Sequence, residues 1–387
     1  MTEARSLQAA DKPVEITLPA RRTPVYRSVD VLVCGGGLAG VAAAVAAARA
    51  GSDTLLVERN VVLGGNGPLA FDIGLTEGSG GISAEIFERL RASGNAAADE
   101  TAGGALIYDP EALKYACLDL VREAGGHLLL ATWVSDPILD DGAVRGAMVE
   151  NKSGRFAVRA KVVIDATGDA DLAVRAGAAV REPGETPLGI NARVGGIDFD
   201  RALAGSAHWP ALVAEAKRAG RLDPRQPDTI ALYGITPLAR ERGIAFVAGP
   251  RFGGRQAWNS RDLSVSETEG RKLMRAFLAF LKTVPGFEES FLVDVAGTLA
   301  LTHSRHVAGD ATLADGAPGA AVPFGCLLPQ GVDNLLVAGR AASFDPDFYA
   351  RSGAGIDCAA LGDAAGRAAA EAVRSGVTPR DLEAAAA

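Results

Sequence analysis

Residues 30–40 read DVLVCGGGLAG, a run of apolar, strand-forming residues that ends in three consecutive glycines. Residues 38–49 read LAGVAAAVAAAR and are rich in alanine, the best helix former. Gly35, Gly37 and Gly40 therefore occupy the positions G-x-G-x-x-G at a predicted strand-to-helix turn. This spacing permits a tight turn, a close approach of a pyrophosphate to the backbone, and close packing of the helix on the strand. The helix N-terminus would add free N–H groups and a positive dipole end.

A second predicted strand, residues 53–57 (DTLLV), ends at Glu58, with seventeen residues between Gly40 and Glu58. A carboxylate in this position accepts hydrogen bonds from the ribose of a dinucleotide. The alternative is an alanine-rich βα unit without a ligand. Residues 31–48 carry no charge, a length that suggests a membrane span, but the central glycines and weakly apolar alanines favour a soluble core.

The composition excludes several classes of protein. Of the 387 residues 48% are apolar, which is enough for a sizeable core, and the net charge of −8 argues against a nucleic-acid partner. Residues 1–27 contain charges and no apolar block, so no secretory signal is expected, and the predicted location is the cytoplasm. The four cysteines lie far apart and indicate neither a metal site, nor an iron–sulfur cluster, nor a disulfide framework.

The order of patterns predicts a split α/β domain. Residues 127–164 read as a β-meander that ends in an apolar strand and a second glycine turn, Asp165 to Asp169. A strand ending in Gly339 and a helix over 356–373 return to the first pattern. In the middle, Ser-x-x-Glu patterns at 264–267 and 266–269 predict a capping box before a helix over 267–281. The predicted units are an extension, 1–28, a Rossmann-like domain, 29–184 and 321–387, and an inserted α+β cap or substrate domain, 185–320.

Several motifs together resemble one known family. They are GGGLAG with Glu58-Arg59, LGGN at 63–66, VVIDATGDAD at 162–171, CLLPQGVDNLLVAGR at 326–340 and LGDAAGRAAA at 361–370. The chain in this respect resembles the FAD-dependent oxidoreductases related to fumarate reductase and succinate dehydrogenase flavoproteins, over about residues 25–185 and 290–382. The resemblance implies FAD as the cofactor and a parallel sheet with a β-meander as its binding domain.

The resemblance also assigns residues to the cofactor. The glycines of the first turn would hold the pyrophosphate, Glu58 the adenosine ribose, and the backbone of Val134 the adenine. Gly339 would lie by the ribityl chain, and the helix from Ile356 would aim its N-terminus at the isoalloxazine, where its dipole would stabilise the reduced flavin. The full predicted set is Gly35, Gly37, Leu38, Ala39, Gly40, Glu58, Arg59, Gly64, Gly65, Asn66, Val134, Ala166, Thr167, Gly168, Gly339, Arg340, Gly355 and Ile356. No histidine lies near Gly64-Gly65, so FAD is expected to be bound non-covalently there.

The substrate side departs from the family pattern. Where family members carry R-E-S-R-R, residues 302–306 read THSRH, so only Ser304 and Arg305 match. Arginine suits a carboxylate anchor and histidine a proton donor, which makes His303, Arg305 and His306 the leading catalytic candidates. The alternative is an exposed or capping cluster that pairs with acidic neighbours such as Asp310.

Tyr349 and Arg351 form a second catalytic candidate, in the segment before the last helix. Asp345 and Asp347 lie close in sequence and could make the same segment a local salt-bridged loop instead. Asn66 and Asp72, near the glycine-rich loop, are candidate substrate contacts.

Three functions are consistent with the sequence. The first is a two-electron FAD dehydrogenase or reductase acting on a small organic substrate that bears a carboxylate or carbonyl group. The sequence does not decide whether its electron partner is oxygen, nicotinamide or a carrier protein. It also does not determine the oligomeric state. The second is an FAD monooxygenase or halogenase, although the W-x-W-x-I-P stretch of halogenases is absent. The third is an FAD-binding partner protein without turnover, or a tRNA-modifying flavoprotein, which the acidic charge disfavours.

Overall fold

The computed structural model describes residues 17, 19–20, 22–75, 80–99, 106–183, 187–302, 304–314, 322–352 and 357–386. The strands of this part of the chain are β1 (Val25–Cys34), β2 (Thr54–Val57), β3 (Gly74–Leu75), β4 (Ala96–Ala98), β5 (Leu106–Tyr108), β6 (His127–Leu129), β7 (Trp133–Asp140), β8 (Ala143–Asn151), β9 (Gly154–Asp165), β10 (Val180–Arg181), β11 (Leu188–Gly195), β12 (Leu232–Tyr233), β13 (Ala245–Phe252), β14 (Phe291–Val295), β15 (Ala300–Leu301), β16 (His306–Val307) and β17 (Leu335–Val337).

The helices are α1 (Leu38–Arg49), α2 (Asn66–Ala70), α3 (Gly81–Ala92), α4 (Pro110–Glu123), α5 (Asp171–Arg175), α6 (Phe199–Ala204), α7 (Trp209–Arg218), α8 (Pro237–Glu241), α9 (Ser260–Leu281), α10 (Pro346–Ser352), α11 (Cys358–Ser375) and α12 (Pro379–Ala386).

The central sheet has a parallel half with the strand order β6-β2-β1-β9-β17. Val31 to Cys34 of β1 are fully buried because helices and loops cover both faces. The carboxyl ends of β1, β2, β9 and β17 meet at one edge, where ligands bind in such sheets. The first half of β9 also pairs antiparallel with β8, and β8 with β7, which is the predicted β-meander. This topology confirms the predicted α/β, Rossmann-like fold.

Two alanine-rich helices pack backbone to backbone on the parallel half. A Cβ on Gly362 of α11 would lie 2.0 Å from the Ala39 oxygen of α1, and one on Gly366 would lie 2.3 Å from the Ala43 oxygen. Only glycine permits such an approach. The long uncharged run at 31–48 is thus divided between a buried strand and a buried helix, and no helix in the described residues is long and apolar enough to cross a membrane.

A second, antiparallel sheet follows in the middle of the chain. Its order is β12-β13-β11-β14, with β15 beside β11, and Met274, Phe277 and Leu281 of α9 belong to the apolar core on it. The predicted capping box is wrong, because α9 begins at Ser260 and Asn259 caps it by accepting from the N–H groups of Arg261 and Asp262. The division of the chain into the three predicted units stays a prediction.

Candidate functional site

The β1–α1 turn presents backbone rather than side chains to a cavity. Gly35 has a φ of +110°, and a Cβ there would lie 2.3 Å from the Ala166 oxygen. A Cβ on Gly40 would lie 1.8 Å from the Gly35 oxygen, so the third glycine lets α1 pack against the turn. Gly37 is the N-cap of α1, and neither a capping side chain nor an acidic residue occupies its first turn. The free N–H groups of that turn are therefore available to an anion.

Glu58 lies directly after β2 and is buried beside this turn. One carboxylate oxygen accepts from the Gly36 N–H at 2.6 Å, and the other accepts from the Asn60 backbone and side-chain N–H groups at 2.7 and 2.6 Å. A carboxylate has about four lone-pair sites, so it can still accept from ribose hydroxyls.

The glycine-rich loop after β2 lies against the first glycine turn. Gly64 donates its N–H to the Gly36 oxygen at 2.8 Å. Gly65 has a φ of +63°, and a Cβ on it would lie 3.0 Å from the Gly37 Cα. Side chains here would fill the cradle between the two loops, so the pair of glycine turns fits the backbone-lined site that a pyrophosphate needs.

The opposite wall comes from the ends of β9 and β17. Gly168, with a φ of +90°, leaves room for the Arg340 guanidinium, since a Cβ on Gly168 would lie 2.8 Å from an Arg340 nitrogen. Arg340 pairs with Asp169 at 3.2 Å. The two polar walls enclose one cavity of about 710 Å³, within the usual range for small-molecule and cofactor sites.

Most of the predicted cofactor residues line this cavity. They are Gly35, Gly37, Leu38, Ala39, Glu58, Arg59, Gly64, Gly65, Asn66, Ala166, Thr167, Gly168, Gly339 and Arg340. Gly40 lies behind the turn, and Val134 lies in β7, outside the lining. Gly355 and Ile356 lie outside the described residues.

The last helix, predicted to start at Ile356 and to aim its N-terminus at the isoalloxazine, has a capped N-terminus. The helix α11 begins at Cys358, and the carboxylate of its N-cap, Asp357, accepts from the N–H groups of Ala359 and Ala360 at 3.0 Å. Asp357, Cys358 and Ala359 line the cavity, but a capping carboxylate opposes the attraction of the helix dipole for an anion.

One part of the cavity lining combines a carboxylate with phenols and leucines. Its polar lining includes Asp72, Tyr108 and Tyr349, and its apolar lining includes Leu69 and Leu301. Phe71 and Ile73, on either side of Asp72, are buried in the core. Asp72 alone of these three consecutive residues is therefore open to the cavity.

Three hydrogen bonds fix the backbone that carries Asp72. The carbonyl oxygens of residues 70–72 accept, in order, from Asn191 at 2.8 Å, Tyr233 at 2.9 Å and Tyr108 at 2.9 Å. Phe71 between them has a φ of +57°, a left-handed conformation uncommon for a bulky residue. The donors come from different strands, so sequence periodicity gave no signal for this cluster.

Arg305, a predicted catalytic residue, lies away from the cavity lining and has an acidic partner. Its guanidinium pairs with Asp171 at 2.9 Å and donates to the Asp169 carbonyl oxygen at 2.9 Å. The ring of Trp258 lies 5.5 Å from it. The acidic partner is thus Asp171, whereas Asp310, the neighbour considered from sequence, pairs with Arg380.

The other catalytic candidates differ in their position relative to the cavity. Tyr349 lines the cavity. His306 is fully buried in β16, with its ring 4.7 Å from the Tyr349 ring and 5.9 Å from the Phe344 ring. Arg351 belongs to α10, but its side chain lies outside the described part, as does the whole of His303.

Burial favours the uncharged forms of the titratable side chains in and around the cavity. It raises the pKa of the Asp72 carboxyl, an effect that Arg340 and Arg251 oppose. Burial likewise raises the pKa values of the Tyr233 and Tyr349 phenols, and that of the Cys358 thiol to about 11. The phenols and the thiol therefore stay protonated near neutral pH.

Two curated proteins match part of this chain. A digeranylgeranylglycerophospholipid reductase of Methanoculleus marisnigri is 33% identical over 162 residues, 38% of this chain and 41% of the relative. A second, from Methanopyrus kandleri, is 35% identical over 152 residues, 36% of this chain and 39% of the relative. The match spans less than half the length of these relatives.

Solved structures share the fold at low identity. A geranylgeranyl bacteriochlorophyll reductase-like protein of Thermoplasma acidophilum has a TM-score of 0.53 at 19% identity, over 90% of this chain and 79% of that one. The p-nitrophenol 4-monooxygenase of Pseudomonas putida has a TM-score of 0.53 at 14% identity, over 92% and 83%. None of these relatives is a fumarate reductase or succinate dehydrogenase flavoprotein, so they do not support the narrower relation expected from the sequence motifs.

A match over nearly the whole chain shows which family this protein belongs to. A family model described as FAD dependent oxidoreductase matches residues 30–317 and 315–387. FAD is the cofactor of this family, and it fits the site, which offers the two glycine turns, the uncapped N-terminus of α1 and Glu58. The chain is thus an enzyme that belongs to the FAD-dependent oxidoreductase family.

Proposed function

We propose that this enzyme holds FAD non-covalently and uses it for two-electron hydride transfer to or from a small organic substrate bound at the Asp72 end of the cavity. One observation carries the proposal. One cavity is lined both by the glycine turns at Gly35 and Gly65 and by Asp72, Tyr108 and Tyr349. A cofactor held against the glycine turns would therefore share the same cavity with a substrate beside Asp72.

The residues around the glycine turns suit the parts of FAD. The N–H groups of the first turn of α1 would bind the pyrophosphate, and Glu58 would accept from the adenosine ribose. Arg59 and the backbone of Val134 are proposed to lie by the adenine, and Gly339 by the ribityl chain. The loop at 63–67 contains no histidine, which supports non-covalent binding.

The lining residues around Asp72 suit a substrate of modest size. Leu69 and Leu301 would exclude water from the reacting atoms, and the phenols of Tyr108 and Tyr349 would remain neutral beside them. Bound FAD supplies a group that accepts or releases a hydride. Arg340, the arginine of the lining nearest in the chain to Tyr349, is paired with Asp169. We therefore favour a neutral carbonyl, hydroxyl or alkene group over a free carboxylate.

The name reductase, which the relatives from methanogens carry, favours the reducing direction. The panel of test compounds should therefore contain enones, ketones and polyprenyl alkenes for the reduced enzyme. It should also contain alcohols and hydroxy acids for the oxidised enzyme.

The test begins with an absorbance spectrum of the purified protein, followed by acid release and chromatography of the bound group. We expect a two-band flavin spectrum and free FAD, followed by anaerobic bleaching or reoxidation with a member of the panel. A colourless protein that takes up no FAD would refute the proposal. A product hydroxylated by oxygen would establish a monooxygenase instead. A bound FAD that exchanges electrons with no compound, in a stable protein complex, would support the non-catalytic alternative.

A further inference from the structure

We propose that Asp72 is the catalytic proton donor and acceptor of this site. The inference rests on the proposed function, since it needs a substrate between Asp72 and bound FAD. Three carboxylates line the cavity, and two of them are engaged. Glu58 accepts hydrogen bonds at the dinucleotide end, and Asp357 caps α11. Asp72 is the third, and no described residue donates a hydrogen bond to its carboxylate.

The fold holds this carboxylate in a fixed place. Tyr233 and Tyr108 donate to the carbonyl oxygens of Phe71 and Asp72, each at 2.9 Å, and Asn191 donates to the preceding carbonyl. Asn191 and Tyr233 lie in β11 and β12 of the second sheet, and Tyr108 lies in β5, which pairs with β3 and β4. Holding a catalytic group by rigid elements is what efficient proton transfer requires.

The charged surroundings permit both protonation states. Asp72 is accessible from the cavity, but the protein atoms packed around it favour the neutral carboxyl, whereas the positive charges of Arg340 and Arg251 favour the carboxylate. The net effect raises the pKa of the Asp72 carboxyl above its ordinary value, which is the direction that a carboxyl acting as a general acid near neutral pH requires. The titratable and charged groups whose fields couple to Asp72 are Arg340, Arg251, Tyr108, Tyr233, Tyr349 and Cys358.

Other proton carriers among the described residues are less suited. The phenols and the Cys358 thiol have raised pKa values and stay protonated. His306 is buried behind Tyr349 and is not part of the cavity lining. Asp72 is therefore the group that can change its charge during a reaction.

The step balances in both directions. In oxidation, a C–H bond of the substrate breaks and its electron pair leaves as hydride to FAD. The proton on the neighbouring atom passes to the Asp72 carboxylate, and a double bond forms between the two substrate atoms. In reduction, the neutral Asp72 carboxyl gives the proton to one atom while the other receives hydride from the reduced cofactor.

The first test needs no substrate. The visible absorbance of the FAD-loaded protein is followed from pH 4 to 9 in the wild type, D72N and D119N, an exposed aspartate on α4. We expect one spectral titration in the wild type and D119N, with a midpoint above the usual carboxyl value of about 4. We expect D72N to bind FAD equally well and to lack that titration. A wild-type spectrum without it, or a D72N spectrum that retains it, would overturn the inference.

The second test uses a panel compound that bleaches or reoxidises the wild-type flavin. General acid–base catalysis contributes about 10²–10⁴-fold, so we expect the single-turnover rate of D72N to fall by about 100-fold or more and D72E to recover part of it. Equal rates in D72N and the wild type would refute the role of Asp72 while the proposed function stands. If no compound exchanges electrons with wild-type FAD, the proposed function fails, and the spectral titration still decides whether Asp72 ionises beside the cofactor.

Discussion

The phenol of Tyr233 donates a 2.9 Å hydrogen bond to the carbonyl oxygen of Phe71, and this bond joins the second sheet to the loop beside the cofactor cavity. Tyr233 is stacked on Phe246, whose ring also contacts Phe71, with ring centroids 5.5 and 5.2 Å apart. The left-handed backbone of Phe71 is therefore supported from one side by a hydrogen bond and by aromatic packing. The position of Asp72 depends on both.

Removing this hydrogen bond should disturb the site more than the fold. In Y233F the Phe71 oxygen loses its donor, so we expect the free energy of unfolding to fall by about 1 kcal/mol. We also expect the spectral titration of bound FAD to shift, because Asp72 is less firmly held. Y115F, which changes an exposed tyrosine of α4, is the matched control. Chemical denaturation and the absorbance titration of both variants check this, and identical behaviour of the two would contradict it.

The first glycine of the β1–α1 turn should be irreplaceable for FAD binding. In G35A the new Cβ would lie 2.3 Å from the Ala166 oxygen, so one wall of the cradle must move. G51A is a matched control, because Gly51 has a φ of +89° and a Cβ there would meet nothing within 4 Å. Both variants bear the strain of a left-handed residue, roughly 1–2 kcal/mol.

Gel filtration followed by absorbance at 280 and ~450 nm gives the FAD content of each variant. We expect G51A to retain a full complement of FAD and G35A to lose most of it. Retention of FAD by G35A at the level of G51A would show that the turn does not hold the pyrophosphate.

The sequence determined more of the cofactor end than of the substrate end. The glycine turns and Glu58 were predictable because a tight turn and a close backbone approach demand particular residues at fixed spacing. The cluster that holds Asp72 was not, because Asn191, Tyr233 and Tyr108 lie far apart in the chain and meet only through the packing of separate strands. A hydrogen bond to a main-chain carbonyl leaves no pattern in a single sequence.

A charge cluster between helices α1 and α3 should make the stability pH-dependent. Glu85 of α3 accepts from Arg49 of α1 at 2.6 and 2.9 Å and from Arg89 at 2.8 Å. The Arg49 hydrogen bond, above all, lowers the pKa of Glu85 to about 2. A carboxyl whose pKa is lower in the folded state stabilises the fold above its unfolded pKa of about 4.3, and this stabilisation is lost as the pH falls toward 2.

Substituting Glu85 should reveal that dependence. E85Q is expected to be less stable than the wild type by about 1 kcal/mol at pH 7, and the difference should shrink between pH 4.5 and pH 2. E88Q, at an exposed position of the same helix, is the control and should show no such trend. Denaturation curves at a series of pH values provide the measurement. A difference between E85Q and the wild type that is constant with pH would contradict the lowered pKa.

The ion pair between Arg305 and Asp171 should serve the fold more than the reaction. Arg305 is largely buried, and without it Asp171 would face Asp169 and Asp165 with less compensation. Burial already raises the pKa of Asp171, so its ionisation opposes folding as the pH rises through that pKa. In R305M the pKa should rise further, and the loss of stability should be small near pH 4 and larger at pH 7, about 2–3 kcal/mol.

The measurement is the free energy of unfolding of R305M at both pH values, together with the rate of flavin reduction per bound FAD. R159M, at an exposed position of β9, is the control. We expect R305M to lose stability at pH 7 while its rate per bound FAD stays within a few-fold of the wild type. A fall of 100-fold or more in that rate, with stability unchanged, would instead establish Arg305 as the anchor of the substrate, as the sequence motif alone suggested.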